Sequence, residues 1–155
     1  MRITLRSPLE FPEQDETLVQ RLMSLAVKIV NHNDTGRDAT ALVKEFNTLA
    51  GSNRTQSEIA RHPSYTDEEP YVRICLARIP QVLDGSDEEW LELICRISGG
   101  DGEEWETHYW LALMEKNLSS KISDLIYWPN IALGLDEMPS LTPEEILEHA
   151  LRDSG

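Results

Sequence analysis

A chain of 155 residues with 40% hydrophobic residues has enough apolar material for a real core, in one domain or two small ones, which excludes wholesale disorder. The formal net charge is −14, and it is uneven: residues 1–83 carry 11 acids and 10 bases, whereas residues 84–155 carry 17 acids and 4 bases. Direct binding of nucleic acid or an anionic membrane by the second half is therefore disfavoured, because both demand positive charge. A basic protein partner, or a solvated acidic surface without a role, stays open.

Residues 1–14, with Pro8 and Pro12, read as extended, either a short strand or an arm along the helices. The start, Met1-Arg2-Ile3-Thr4-Leu5-Arg6, lacks the apolar core of a signal peptide, and no apolar run is long enough to span a bilayer. A cytoplasmic location is the expectation. From Glu16, residues Leu18, Leu22, Leu25, Ala26, Ile29 and Val30 recur at helical spacing until Asn31–Gly36 ends the pattern. Ala39, Leu42, Val43, Phe46 and Leu49 give a second amphipathic helix stopped at Gly51. A brief third helix is expected over Thr55–Arg61, before His62-Pro63.

Thr66-Asp67-Glu68-Glu69 has capping-box spacing and opens a helix carrying Val72, Cys75, Leu76 and Ile79, which Pro80 ends. Residues 80–86 read as a linker. A second box, Ser86-Asp87-Glu88-Glu89, opens the helix of Trp90, Leu91, Leu93, Ile94 and Ile97, which stops at Gly99-Gly100. Helix resumes near Gly102 and runs to about Leu118. One stripe of it is Trp105, Tyr109, Ala112 and Leu113; another, largely acidic and facing water, is Glu104, His108, Leu111 and Glu115. Residues 130–141 read as a loop. A third box with proline at the first helical position, Thr142-Pro143-Glu144-Glu145, launches Ile146, Leu147, Ala150 and Leu151.

Alternating strand patterns are nearly absent, so the fold class is all-α, a helical bundle. The expected parts are a helical region over residues 1–83, of unknown role, and an acidic four-helix region over residues 84–155 whose third helix is very short. Cys75 and Cys95 have aliphatic neighbours and are expected to be buried thiols rather than a disulfide or metal pair.

The short third helix is the distinctive stretch: Ser123-Asp124-Leu125-Ile126-Tyr127-Trp128-Pro129. Ser123 can cap it, Asp124 favours the positive end of the helix dipole, and Pro129 stops it. One and a half turns or so then fix two aromatics and a carboxylate in direction, and Tyr and Trp are the side chains that most often dominate protein–protein binding energy. Of the four tryptophans, 90, 105 and 110 suit the core and Trp128 the surface. A looser echo, Ser57-Glu58-Ile59-Ala60-Arg61-His62-Pro63, also follows two helices; duplication and coincidence both account for it.

No chemistry of catalysis is announced. Glu104…His108 and Glu144/Glu145…His149 pair carboxylate with imidazole at helical spacing, but surface ion pairs explain them more simply than a metal. Gly-rich phosphate loops, nucleophile elbows and zinc spacings do not occur. The expectation is a non-enzyme with no cofactor, no metal and no catalytic residue.

The helix order and the words within it resemble the small four-helix immunity proteins that bacteria make against their own DNase-type colicins and pyocins. That family's third helix reads Ser-Asp-Leu-Ile-Tyr-Tyr-Pro, against Ser123–Pro129 here, and Asp87–Ile94 looks like its first helix. The likeness covers about residues 84–153, with Trp128 in place of the second tyrosine and a longer loop before the last helix. It implies an inhibitor that clamps a basic nuclease domain of a toxin. Asp124, Tyr127 and Trp128 would anchor it, Ser123 and Pro129 would shape that anchor, and Glu104, His108, Leu111 and Glu115 would select the partner. The rival expectation is a helical structural or regulatory protein of unknown partner, in which the aromatic motif fills the core. Exposure of Tyr127 and Trp128 separates the two.

Overall fold

The computed structural model describes residues 4–154. Among these the regular structure is helical throughout and contains no strand. In chain order the helices are α1 (Glu16–Asp34), α2 (Thr40–Ala50), α3 (Gln56–Arg61), α4 (Glu68–Leu76), α5 (Asp87–Ser98), α6 (Glu104–Asn117), α7 (Ile122–Tyr127), α8 (Pro129–Leu133) and α9 (Pro143–Ser154). A 3-10 turn at His62–Ser64 follows α3. No helix among the described residues is long and apolar enough to cross a membrane.

The chain forms two compact units, and one interrupts the other. Residues 13–78 make an inserted unit, while residues 1–12 and 79–155 together make an acidic unit. By sequence the inserted unit has 10 acids and 8 bases, a net −2; the acidic unit has 18 acids and 6 bases, a net −12.

In the inserted unit α1 is the hub. Asp15 accepts from the N–H groups of Thr17 and Leu18 at 2.9 and 3.3 Å, starting the helix. Val19, Leu22, Leu25, Ala26 and Ile29 form its buried stripe, against which α2, α3 and α4 pack. Phe46, Ile59, Tyr71, Val72 and Cys75 complete this core. After α2, Gly51 takes a left-handed conformation (φ 68°), which a residue with a Cβ adopts only at a cost. Asn47 then fastens the turn: its Nδ2 donates to the Arg54 carbonyl at 2.8 Å, and its Oδ1 accepts from Arg54 N–H and from the Ser52 hydroxyl.

Two local expectations are corrected in α4. Its cap position is Asp67 rather than Thr66, with no side-chain capping bond, and the helix ends at Leu76 short of Ile79. Arg78 supplies the reason. Its guanidinium donates to the carbonyls of Cys75, Leu76 and Ala77, and also to those of Ala50 and Gly51. A side chain that satisfies the last carbonyls closes the helix before Pro80 is reached.

In the acidic unit, α5 packs on α9 and α6, and α7 packs on α6, α8 and α9. The Ser86/Glu89 box forms reciprocally, as does Thr142/Glu145. A further box, Glu103/Glu106, opens α6. Trp90, Leu93, Ile94, Trp110, Leu113, Met114, Ile122, Leu125, Ile146 and Ala150 are buried. Cys75 is buried as expected, but Cys95 is exposed, because α5 turns Leu93, Ile94 and Ile97 inward and carries residue 95 to the outer side.

The arm and the segment expected to be a linker both belong here. Leu5 and Leu9 are buried. Tyr109 O–H donates to the Pro8 carbonyl at 2.7 Å, Trp110 Nε1–H donates to the Leu9 carbonyl at 3.1 Å, and Phe11 meets Tyr109 edge to face. Arg6 Nε reaches Glu89 Oε2 at 2.7 Å and its Nη2 reaches Asp84. Residues 79–82 are pinned to the end of α6: Lys116 donates to the Ile79 carbonyl, and Asn117 bridges the Pro80 carbonyl and Val82 N–H.

Candidate partner-binding surface

α7 is held by what it buries. Ile122 and Leu125, three apart, turn into the bundle, which leaves Asp124, Tyr127 and Trp128 to the outer side at i, i+3 and i+4 spacing. Asp124 is exposed, and Tyr127 and Trp128 are 46% and 56% exposed, whereas Trp90 and Trp110 are buried and Trp105 is half-buried. The aromatic motif is not core.

Its local build differs from expectation in two ways. Ser123 does not cap the helix; that position is Lys121, whose N–H is held by Ser119 Oγ at 3.1 Å. The Ser123 hydroxyl instead donates to Glu115 Oε1 on α6. Pro129 does not lead into an irregular loop; it is the first residue of α8, where a missing N–H costs nothing. Trp128, at φ −137° and ψ 56°, ends α7 and precedes α8. Its own N–H closes on the Asp124 carbonyl at 2.7 Å. Pro129 is itself buried.

No protein-family model, curated protein or solved structure matches this chain.

On α6, Glu104, His108 and Glu115 are exposed and Leu111 is half-buried. The Ser123–Glu115 bond joins this acidic face to the aromatic helix, so two groups of residues separated in sequence meet at one point. Several other acids of the unit have structural work at helix starts, where the dipole favours them: Glu89, Glu106 and Glu145 each accept from a capping-position N–H. The residues sequence reasoning missed are Ile131, Leu135 and Met138, exposed by 66%, 47% and 51%. Their signal was the apolar run Ile131-Ala132-Leu133 ahead of Gly134, hidden by reading Pro129 as a stop. Gly134 (φ 67°) ends α8, with Leu135 N–H returning to the Asn130 carbonyl at 2.8 Å. Among the described residues no group of three or more His, Cys, Asp or Glu side chains is arranged to hold a metal ion.

Proposed function

We propose that this chain is a bacteriocin-immunity-type protein that binds and inhibits a basic, nuclease-like toxin domain, with α7 as anchor and the outer face of α6 as selector. The observation that carries this reading is the exposure of Tyr127 and Trp128 beside Asp124, on a short helix tied to an acidic neighbour. Rigid aromatics that bury on contact supply binding energy at the centre of an interface. Acids around them steer a cationic partner and raise its on-rate. Nothing covalent is required: an occluding protein of net −12 on this unit excludes a polyanionic substrate from a basic cleft by bulk and charge. The rival in which the motif plugs the core has no support from side chains exposed by about half.

The test is binding and nuclease inhibition against purified colicin- or pyocin-type DNase domains. Tyr127→Ala and Asp124→Ala should each weaken the complex by at least about 2 kcal/mol, the hot-spot scale, with far-UV circular dichroism unchanged. Parent-like affinity in both variants would remove the anchor from this reading.

A further inference from the structure

Five of the ten large apolar side chains that stand exposed among the described residues fall between Tyr127 and Met138. Tyr127 and Trp128 belong to the anchor; Ile131, Leu135 and Met138 do not, and half or so of each stands open. α8 is ended by Gly134 and its returning hydrogen bonds, which polar residues at 131 and 135 would leave intact. An apolar concentration of this kind on a surface marks a place of contact. Between Leu135 and Met138 lie Asp136 and Glu137, both exposed, so the strip mixes aliphatic side chains with anions.

We propose that the strip from Ile131 to Met138 is a second contact surface for a cationic protein, seating its aliphatic side chains in an apolar recess edged by Lys or Arg on the same domain that α7 grips. The proposal rests on the inhibitor reading above. Charge complementarity names the occupant. A second copy of this chain would bring a unit of net −12 against its like, and Asp136 and Glu137 against a matching pair. Nucleic acid and anionic lipid are repelled on the same ground. A basic protein gains from the anions and from the burial together. The two surfaces then divide the kinetics. The acids of α6 set the on-rate and its salt dependence, and the strip sets the off-rate, which salt scarcely changes.

The experiment uses the full chain as parent, as Ile131→Ser/Leu135→Ser/Met138→Ser, and as Tyr127→Ala, each measured for on- and off-rates against purified colicin- and pyocin-type DNase domains at low and high salt. The triple variant should dissociate at least tenfold faster while keeping the parent's on-rate and salt slope. Leu135→Ser/Met138→Ser, wholly beyond the last residue of α8, should show part of that loss and guards against a disturbed helix. A parent-like off-rate in the triple variant, with loss in Tyr127→Ala, overturns the strip and leaves the anchor standing. Loss in the triple variant with tight binding by Tyr127→Ala supports the strip and overturns the anchor. A parent that binds none of the domains overturns both, and a parent that sediments as a dimer dissolved by the triple substitution makes the occupant a second copy and overturns the proposal.

Discussion

Glu89 shows how one side chain can serve two elements. Its carboxylate accepts from Ser86 N–H to complete the cap of α5 and from Arg6 to hold the arm. The Arg6 hydrogen bond, followed by the Ser86 N–H, keeps this carboxyl below the ordinary glutamate value. A group whose folded-state pKa lies below its unfolded one stabilises the fold above the unfolded value, and that contribution disappears as pH falls through the folded one. Glu89→Gln should therefore be less stable than the parent at neutral pH, with the gap closing as pH drops below the usual glutamate range. Unfolding curves across that window check this, and a gap constant with pH would refute it. The cap itself was legible from Ser86 and Glu89, three residues apart. The ion pair to Arg6, 83 residues away, was not, because nothing local to either residue marks it. Trp128 shows the same division: the expectation that it suits the surface agrees with its exposure, whereas its place between two helices was hidden by reading Ser123–Pro129 as a single short helix closed by proline.

Among the elements, the turn after α2 depends most on a single residue. Asn47 satisfies both backbone groups of Arg54 and the Ser52 hydroxyl from a half-buried site. Asn47→Ala leaves these groups without partners and should cost about 1–3 kcal/mol in denaturant unfolding followed by circular dichroism. A loss under about 0.5 kcal/mol, the usual range for a neutral surface change, would mean the turn is held by Gly51 alone. The long helices were legible because their apolar residues keep a helical period and glycine or capping boxes bound them. α8 was not, since five residues are too few for a period and proline serves equally as a stop or a first residue. The echo between Ser57–Pro63 and Ser123–Pro129 carries into structure in part. α3 and α7 are both six residues long, each with serine second, a buried aliphatic fourth (Ile59, Leu125) and a short helical turn behind that carries proline at its second or first position. Their packing differs: α3 lies on the hub helix α1, and α7 on α6, α8 and α9.

For the molecule as a whole, the acidic unit owes part of its core to residues far from it in sequence. Leu9 is fully buried, and its carbonyl accepts the indole N–H of Trp110. Leu9→Ala should destabilise this unit by about 2–5 kcal/mol, the range for a buried leucine. All four tryptophans (90, 105, 110 and 128) belong to the acidic unit, so unfolding followed by tryptophan fluorescence isolates its transition. An unshifted transition would show the arm to be ornamental. An acidic second half was plain from charge, but the expected parts, 1–83 and 84–155, differ from the units found, because an arm that joins across a whole inserted unit leaves no compositional trace.

That nesting has a consequence for biosynthesis. A ribosome delivers Leu9 first and the indole that receives it 101 residues later, with the whole inserted unit emerging in between. Residues 13–78 can collapse early in translation, while the opening segment waits without its seat. The opening segment thus gains its seat only after α6 has left the ribosome, and the acidic unit closes later in synthesis than the unit it encloses in sequence.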